Sequence, residues 1–327
     1  MSEKLLHRGS VKDIYQISEQ ELLFRFSDRY SIFDWGEMPD AIPQKGDALA
    51  LMGNKLLHYL THEGFSTHYL NQGKASNEMC VKAVAVPRDG VEIYQRKPTQ
   101  ILVPLEVIYR FGVPKGSSLL KRYADESAWQ MAGFDRAYAE GEDFLEVKLD
   151  FTTKLEKMDR LLSEEEARQL SGMDLKEMAE LKRLTGELAH KLKGVFERCH
   201  MKLWDGKFEF AFGEDRKLML VDSIGLDEIR LTYEGHPLSK ELLRQAYLKT
   251  SWYSALSLSK EKEPREFKSY CEKILKETPK SLPREKIMAL SILYTSVAHL
   301  ILNDQGDDQN RMHQRLKQAL GSLVGPS

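Results

Sequence analysis

The stretch LWDGKFEFAFGEDRKLMLVD, from Leu203 to Asp222, constrains the fold more than any other. Asp205, Lys207 and Glu209 alternate with Phe208, Phe210 and Phe212. A period of two sorts side chains onto opposite faces of a strand, which a helix cannot do. GEDR breaks the alternation and supplies a turn, so two antiparallel strands are expected. Pairing Phe212 with Lys217 sets Lys207 opposite Asp222 and Glu209 opposite Leu220. In that register Asp205, Lys207, Glu209 and Asp222 share one face, with diagonal neighbours roughly 7–8 Å apart. The phenylalanines pack on the other face. A slip of one residue would scatter the set. Two carboxylates so placed can share magnesium, which takes oxygen ligands and keeps waters and phosphate oxygens. The same residues also fit a solvated charge ladder, since exposed ion pairs are common and nearly neutral in energy.

A chain of 327 residues suits one large or two modest domains. With 42% hydrophobic and 30% charged residues it has a globular composition. A net charge of -2 gives no global drive towards nucleic acid. Cys80, Cys199 and Cys271 form no C-x-x-C pair, which argues against structural zinc and a disulfide framework. MSEKLLHRGSVKD lacks an apolar signal core, and no uncharged run nears the roughly 20 residues that span a bilayer. A cytoplasmic protein with no membrane partner is expected.

DIYQI and ELLFRF read as a hairpin. A long loop follows from Asp28, with Gly36, Pro39, Pro43 and Gly46; long ordered loops are often functional. DALALMGNKLLHYLTHEG reads as a helix with Asp47 as N-cap and Gly64 as stop. GFSTHYL, MCVKAVAV and TQILVPLEVIYRFG read as strands, the last placing Glu106, Ile108 and Arg110 on one face. Ser163 and Glu166 fit a capping box. Asp174 to Cys199 reads as an amphipathic helix with Leu175, Met178, Leu181, Leu188, Leu192 and Val195 on its stripe. Beyond Arg230 helices dominate, Ser239 capping one and Pro283 in the first turn of another. Fraying is expected at Gly325–Ser327. In LLHRGSVKDIY a glycine turn could bring backbone N–H groups to phosphate, with Lys12 adding charge; an ordinary hairpin turn is the commoner meaning of such a stretch.

HRGSVKDIY, FSDRYSIFD, IPQKG, VPLEVIYR, GSSLLKR, DGKFEFAF, LVDSIGLDEIR and LSKELLRQAY follow one another in an order that resembles the SAICAR synthetase family. The resemblance runs from Leu6 to about Leu302. It implies an α+β fold: an N-terminal antiparallel β-sheet domain over residues 1–100 that covers the nucleotide, and a larger α+β, ATP-grasp-like domain over 101–327 with C-terminal helices. It implies an ATP-dependent amide ligase of purine biosynthesis, with ATP and Mg2+ as cofactors. Its small-molecule substrates would be a carboxyaminoimidazole ribonucleotide and L-aspartate, joined through an acyl phosphate. Association into a homo-oligomer stays open.

Position by position, the resemblance makes Glu209 and Asp222 the magnesium ligands. Lys207 lies beside the reacting groups with Asp205 as its partner acid. Gly9, Ser10, Val11 and Lys12 match the loop over the ATP phosphates, and Lys154 a lysine on the nucleotide side. Arg110 and Arg230, helped by Ser117 or Ser118, match the grip on the substrate phosphate, for which a planar guanidinium fork is suited. Asp34 matches an acid near the imidazole, and Asp227 an acid of the substrate run. Without the resemblance, Arg110 could simply pair with Glu106, and Arg230 with Asp227 or Glu228.

The chain departs from the family where substrates would sit. Ser223 replaces an acid, Ser10 a lysine, and Met158-Asp159 a His-Asp pair. Gly225–Arg230 lacks the family's proline and serines, with Ile229 and Glu228 in place of small residues. A divergent paralog using another amine or carboxylate, a non-catalytic nucleotide-binding protein and a small-molecule kinase are the competing readings.

Overall fold

The structure is a computed structural model that describes residues 3–87, 92–156, 159–301 and 307–324. The first sheet is built from β1 (Lys4–Arg8), β2 (Lys12–Gln16), β3 (Glu21–Phe26), β4 (Tyr69–Gln72) and β5 (Glu78–Lys82), in the order β1-β2-β3-β5-β4. All neighbours are antiparallel. The expected hairpin of DIYQI and ELLFRF is β2–β3, and LLHRGSVKDIY forms a second one, β1–β2.

Between β3 and β4 run the long loop and α1 (Lys45–His62). Tyr30, Ile32, Trp35, Met38 and Ile42 are all buried, so the loop is anchored by its own apolar side chains. Helix α1 starts two residues before the expected cap, Asp47. Gln44 takes the N-cap position in a left-handed conformation, φ 63°, without a side-chain cap. Asp28 instead accepts from the Gly46 N–H at 2.9 Å, satisfying a free helix-start donor from the loop.

The second sheet holds β6 (Ile101–Gly112), β7 (Asp143–Thr153), β8 (Leu161–Leu162), β9 (Met201–Phe212), β10 (Leu218–Val221), β11 (Ile229–Tyr233) and β12 (His236–Pro237). Its order is β12-β11-β9-β6-β7-β8, and β10 also pairs with β9. Strand β9 divides its free edge: β11 takes residues 201–206 and β10 takes 209–212. The chain between β10 and β11, residues 222–228, therefore passes the middle of β9 beside Lys207. Strand β7 went unrecognised in the sequence, although Val147, Leu149 and Phe151 alternate with Glu146, Lys148 and Asp150.

The two sheets meet where Thr67 bridges Leu220 in parallel. His68 N–H donates to the Leu220 carbonyl and Leu220 N–H to the Ser66 carbonyl, both at 2.9 Å. One hydrophobic cluster runs through both sheets. A satellite cluster of Trp129, Phe134, Tyr138 and Phe144 lies around the short helices α2 (Leu119–Arg122) and α3 (Glu126–Met131).

Helix α4 (Glu164–Leu170) opens with the Ser163–Glu166 capping box the sequence suggested. Helix α5 (Leu175–Glu197) lies against β6 and β9. Met178, Leu181, Leu188, Leu192 and Val195 are buried as expected, but Leu175 is 76% exposed because it sits in the first turn, short of the core. Phe208, Phe210 and Phe212 are buried, as expected of the aromatic face. The remaining helices are α6 (Lys240–Tyr247), α7 (Ser251–Lys262), α8 (Phe267–Lys273), α9 (Arg284–Leu300) and α10 (Asp307–Val324). Ser239 occupies the N-cap of α6 without a side-chain cap bond, and Pro283 is the N-cap residue of α9. Gly325–Ser327 and Met158 lie outside the described residues. No described helix is long and apolar enough to cross a membrane.

Candidate active site

The β9–β10 register differs by one residue from the expected one. Leu218, not Lys217, pairs with Phe212, and Val221, not Leu220, pairs with Glu209. Straight extension of β10 would therefore turn Asp222 away from Glu209. Asp222 instead leaves the strand in a left-handed conformation, φ 68°, which ends the alternation. His68 Nε2 donates to the Asp222 carbonyl at 2.8 Å and holds that turn. Burial lowers the His68 pKa to about 4, so its imidazole is neutral near pH 7. Nothing local in GFSTHYL marks His68 for a contact to residue 222.

The carboxylates of Glu209 and Asp222 interact electrostatically, and each is held by a lysine. Lys154 Nζ lies 2.5 Å from Glu209 Oε1. Lys12 Nζ donates to Asp222 Oδ1 and, at 3.0 Å, to Ser223 Oγ. Burial and the Asp222 charge push Glu209 up to about 7. Burial acts the same way on Asp222, but Lys12 and Lys154 outweigh it and hold this acid below the usual carboxylate range.

Glu106 completes the cluster. It is buried, and accepts from Lys207 Nζ at 2.5 Å and Lys154 Nζ at 3.2 Å. Burial opposes the charge on both lysines; Glu209, Asp222 and Glu106 overcome it at Lys154, and Glu106 first among them at Lys207. Both pKa values are raised, so both side chains are ammonium ions at pH 7. Asp159 lies within the same field, raised by burial and Glu106. The sequence placed Glu106 on the correct face but offered it to Arg110. The β6–β9 register pairs Glu106 with Glu209 and Arg110 with Asp205, which explains the different outcome.

Arg110, Asp205 and Arg230 form a second group on the same sheet face. Arg230 Nε and Nη2 donate to the two oxygens of Asp205 at 2.7 and 2.6 Å. Arg110 donates to Asp205 at 3.1 Å and to Asp150 at 2.8 Å, and Arg122 also reaches Asp150 at 3.2 Å. Asp205 thus orients two arginines and makes no bond to Lys207, the partner the family pattern suggested. Ser117 is buried and its Oγ accepts from Leu119 N–H at 3.3 Å, while Ser118 is exposed at the start of α2.

The turn Gly9–Ser10–Val11 leads into Lys12. Gly9 N–H donates to the Lys12 carbonyl at 3.0 Å, and a Cβ on Gly9 would stand 2.6 Å from that oxygen, so this position needs glycine. Arg29, from the long loop, donates to the Gly9 carbonyl at 3.0 Å.

One expected substrate residue sits differently. Asp227 has no exposed side-chain surface. Lys45 Nζ lies 2.7 Å from it and Tyr294 Oη donates at 2.8 Å. Burial pushes its pKa up, but Lys240 and Lys45 bring it to about 2. Asp227 therefore anchors the 222–228 loop to α1 and α9 instead of facing the cleft. Its neighbour Glu228 is raised to about 7 by burial and by Asp227. Asp34 is exposed and paired with Lys260 of α7 at 2.7 Å.

Among the described residues no group of three or more His, Cys, Asp or Glu is placed to hold a metal. A two-carboxylate pair still suits magnesium, which uses one or two protein carboxylates and completes its shell with water and phosphate oxygens. In this structure two lysines supply positive charge to the pair. A separate hollow of about 790 Å³ lies between α5 and the β9–β10 turn. Both arginines in its wall are closed on glutamates, Arg183 on Glu180 and Glu187, and Arg216 on Glu177.

The sequence model of one family, SAICAR synthetase, matches residues 5–257. A relative from Archaeoglobus fulgidus, assigned provisionally by its name to phosphoribosylaminoimidazole-succinocarboxamide synthase, is 38% identical over 287 residues, covering 78% of this chain and 83% of the relative. Two solved structures share the fold. A SAICAR synthetase (Type-2) in complex with ADP aligns with TM-score 0.60 and 21% identity, over 84% of this chain and 99% of that one. The SAICAR synthase from Saccharomyces cerevisiae, complexed with SAICAR, aligns with TM-score 0.61 and 20% identity, over 99% and 96%.

Proposed function

The chain belongs to the SAICAR synthetase family, and we propose that it performs the reaction of that family, an ATP-dependent ligation in purine biosynthesis. The carboxylate of carboxyaminoimidazole ribonucleotide takes the γ-phosphoryl group of ATP; a carboxylate oxygen–phosphorus bond forms and ADP departs. The amino nitrogen of L-aspartate then attacks the acyl carbon. A C–N bond forms, phosphate leaves with its bridging oxygen, and the nitrogen loses a proton.

The observation that supports this reading most is the convergence of Glu209 and Asp222 within reach of Lys12, Lys154 and Lys207. Glu209 and Asp222 would hold Mg2+, which when bound supplies positive charge to the phosphates. Lys12, with the Gly9–Ser10–Val11 turn, would cover the phosphates. Lys154 would serve the nucleotide side. Lys207 stays protonated, so it would stabilise charge on the transferred group and not act as a base. Arg110 and Arg230, preset by Asp205, would grip the ribonucleotide phosphate near Ser117 and Ser118, because a guanidinium fork can bind two oxygens. Asp34 would stand at the imidazole side. Such substrates are cytoplasmic metabolites, and we place the chain in that compartment.

Coupled ADP release tests the reading. It predicts turnover only when ATP, Mg2+, the imidazole ribonucleotide and aspartate are all present. ADP release without amine would indicate a kinase, and nucleotide binding without any ADP a silent binding protein. Turnover with a different amine only would mark a paralog.

A further inference from the structure

The outer face of α1 carries a second concentration of basic groups that none of the proposed ligase residues shares. Lys55, His58 and His62 follow one another at three- and four-residue spacing, which places them on one side of the helix. Arg198, the C-cap of α5, joins them, and the four line one hollow of about 390 Å³. Leu56, Val195 and Ile301 give it an apolar lining, and Tyr59 adds a hydroxyl. No Asp or Glu lines it among the described residues.

Basic side chains close by are matched by acids. The nearby Lys191 is closed on Glu63 at 2.5 Å. Among the described residues neither Lys55 nor Arg198 has a side-chain hydrogen bond or ion pair. The His58 and His62 rings lie 4.4 Å apart between centroids. Two histidines one helical turn apart can chelate a transition metal. Here two fixed cations share the rim, which disfavours a dication and favours an anion. A guanidinium fork, an ammonium and two imidazoles are together suited to phosphate oxygens.

We propose that this hollow is a second ligand site, which takes a small soluble phosphate ester. Its oxygens are held by Lys55, Arg198, His58 and His62, and its apolar part lies against Leu56, Val195 and Ile301.

Phenyl phosphate is a suitable probe, since it combines the two chemistries. The full chain, saturated with ADP and Mg2+ so that the nucleotide site is filled, is titrated at constant ionic strength. The C2 protons of His58 and His62, assigned through H58N and H62N, are followed by NMR. Saturable shifts of both signals with a dissociation constant below about 1 mM are expected. The K55Q/R198Q variant should weaken binding at least about tenfold while ADP affinity stays unchanged. Shifts that do not saturate, that chloride reproduces, or that persist unchanged in K55Q/R198Q overturn the proposal. So does saturation of the histidine pair by Zn2+ without any response to phenyl phosphate. Retention on anionic vesicles that K55Q/R198Q abolishes, with no phenyl phosphate binding, would also overturn it in favour of a lipid surface. Should the double variant fail to fold, the single variants K55Q and R198Q carry the same comparison.

Discussion

Lys12, on the second strand of the N-terminal hairpin, donates to the Asp222 carboxylate, 210 residues away in the chain and at the end of β10. This contact closes the first sheet onto the second. It also gives Asp222 a positive partner in the place where a metal–nucleotide complex would bring its own charge. Lys154 does the same for Glu209. In the proposed function, binding of such a complex would be an exchange of cations, with the two lysines passing from carboxylates to phosphates.

Lys12→Met should lower kcat/KM for ATP by roughly 100-fold with kcat little changed, since a lysine covering the ATP phosphates makes a charge-assisted contact worth a few kcal/mol in the ground state as well as in the transition state. The loss should appear with ATP as the varied substrate and be small with the ribonucleotide. Steady-state ADP release with each substrate varied in turn checks this. Equal losses for both, carried by kcat, would contradict a role in holding ATP.

Arg230→Lys keeps the charge but removes the fork that grips Asp205 and, in the proposed complex, the substrate phosphate. We predict that KM for the imidazole ribonucleotide rises at least about tenfold, with KM for ATP unchanged. A rise confined to ATP would contradict the assignment of this arginine.

Lys45 and Asp227 form an ion pair with no exposed side-chain surface on either partner. Removing Lys45 leaves the buried Asp227 charge to Tyr294 and to Lys240 at 3.9 Å, so Lys45→Met should cost about 3 kcal/mol in urea unfolding, the low end for a broken buried pair. Lys45→Met combined with Asp227→Leu should recover much of that loss. A double variant no better than the single one would mean that Tyr294 and Lys240, which also hold Asp227, already compensate its charge.

Burial holds the His68 pKa near 4 in the folded chain, against about 6.5 when unfolded. The unfolded state then binds the extra proton between these values. The corresponding stability is complete above pH 6.5 and is lost as pH falls towards 4, by up to about 3 kcal/mol. His68→Gln, which can still donate to the Asp222 carbonyl, should show a shallower decline of unfolding free energy between pH 7 and 4.5. Identical slopes in the two proteins would contradict a buried neutral imidazole.

The sequence made some of this legible and concealed the rest for physical reasons. Phe208, Phe210 and Phe212 announced a buried face because strand periodicity is local. Glu209 shares the opposite face for the same reason. Asp222 could not be placed by counting. Its left-handed backbone is maintained by His68, 154 residues away, and a register argument alone sends its side chain the wrong way. Asp227 matches the family's substrate run, and its burial is not legible locally because Lys45 and Tyr294, which hold it, are 182 and 67 residues distant. Glu106 was placed on the correct face but with the wrong partner, since the β6–β9 register sets Arg110 opposite Asp205. Leu175 fitted the helical stripe, yet the stripe extends one turn beyond the core it covers.

The central claim concerns one pair of carboxylates, and a crystal structure with ADP and Mn2+ in place of Mg2+ tests it directly. The anomalous signal of Mn2+ locates the ion independently of its ligands. The account predicts a single strong peak within coordination distance of Glu209 and Asp222, with Lys12 and Lys154 turned towards phosphate oxygens. A peak elsewhere, with both lysines still bonded to those carboxylates, would contradict it.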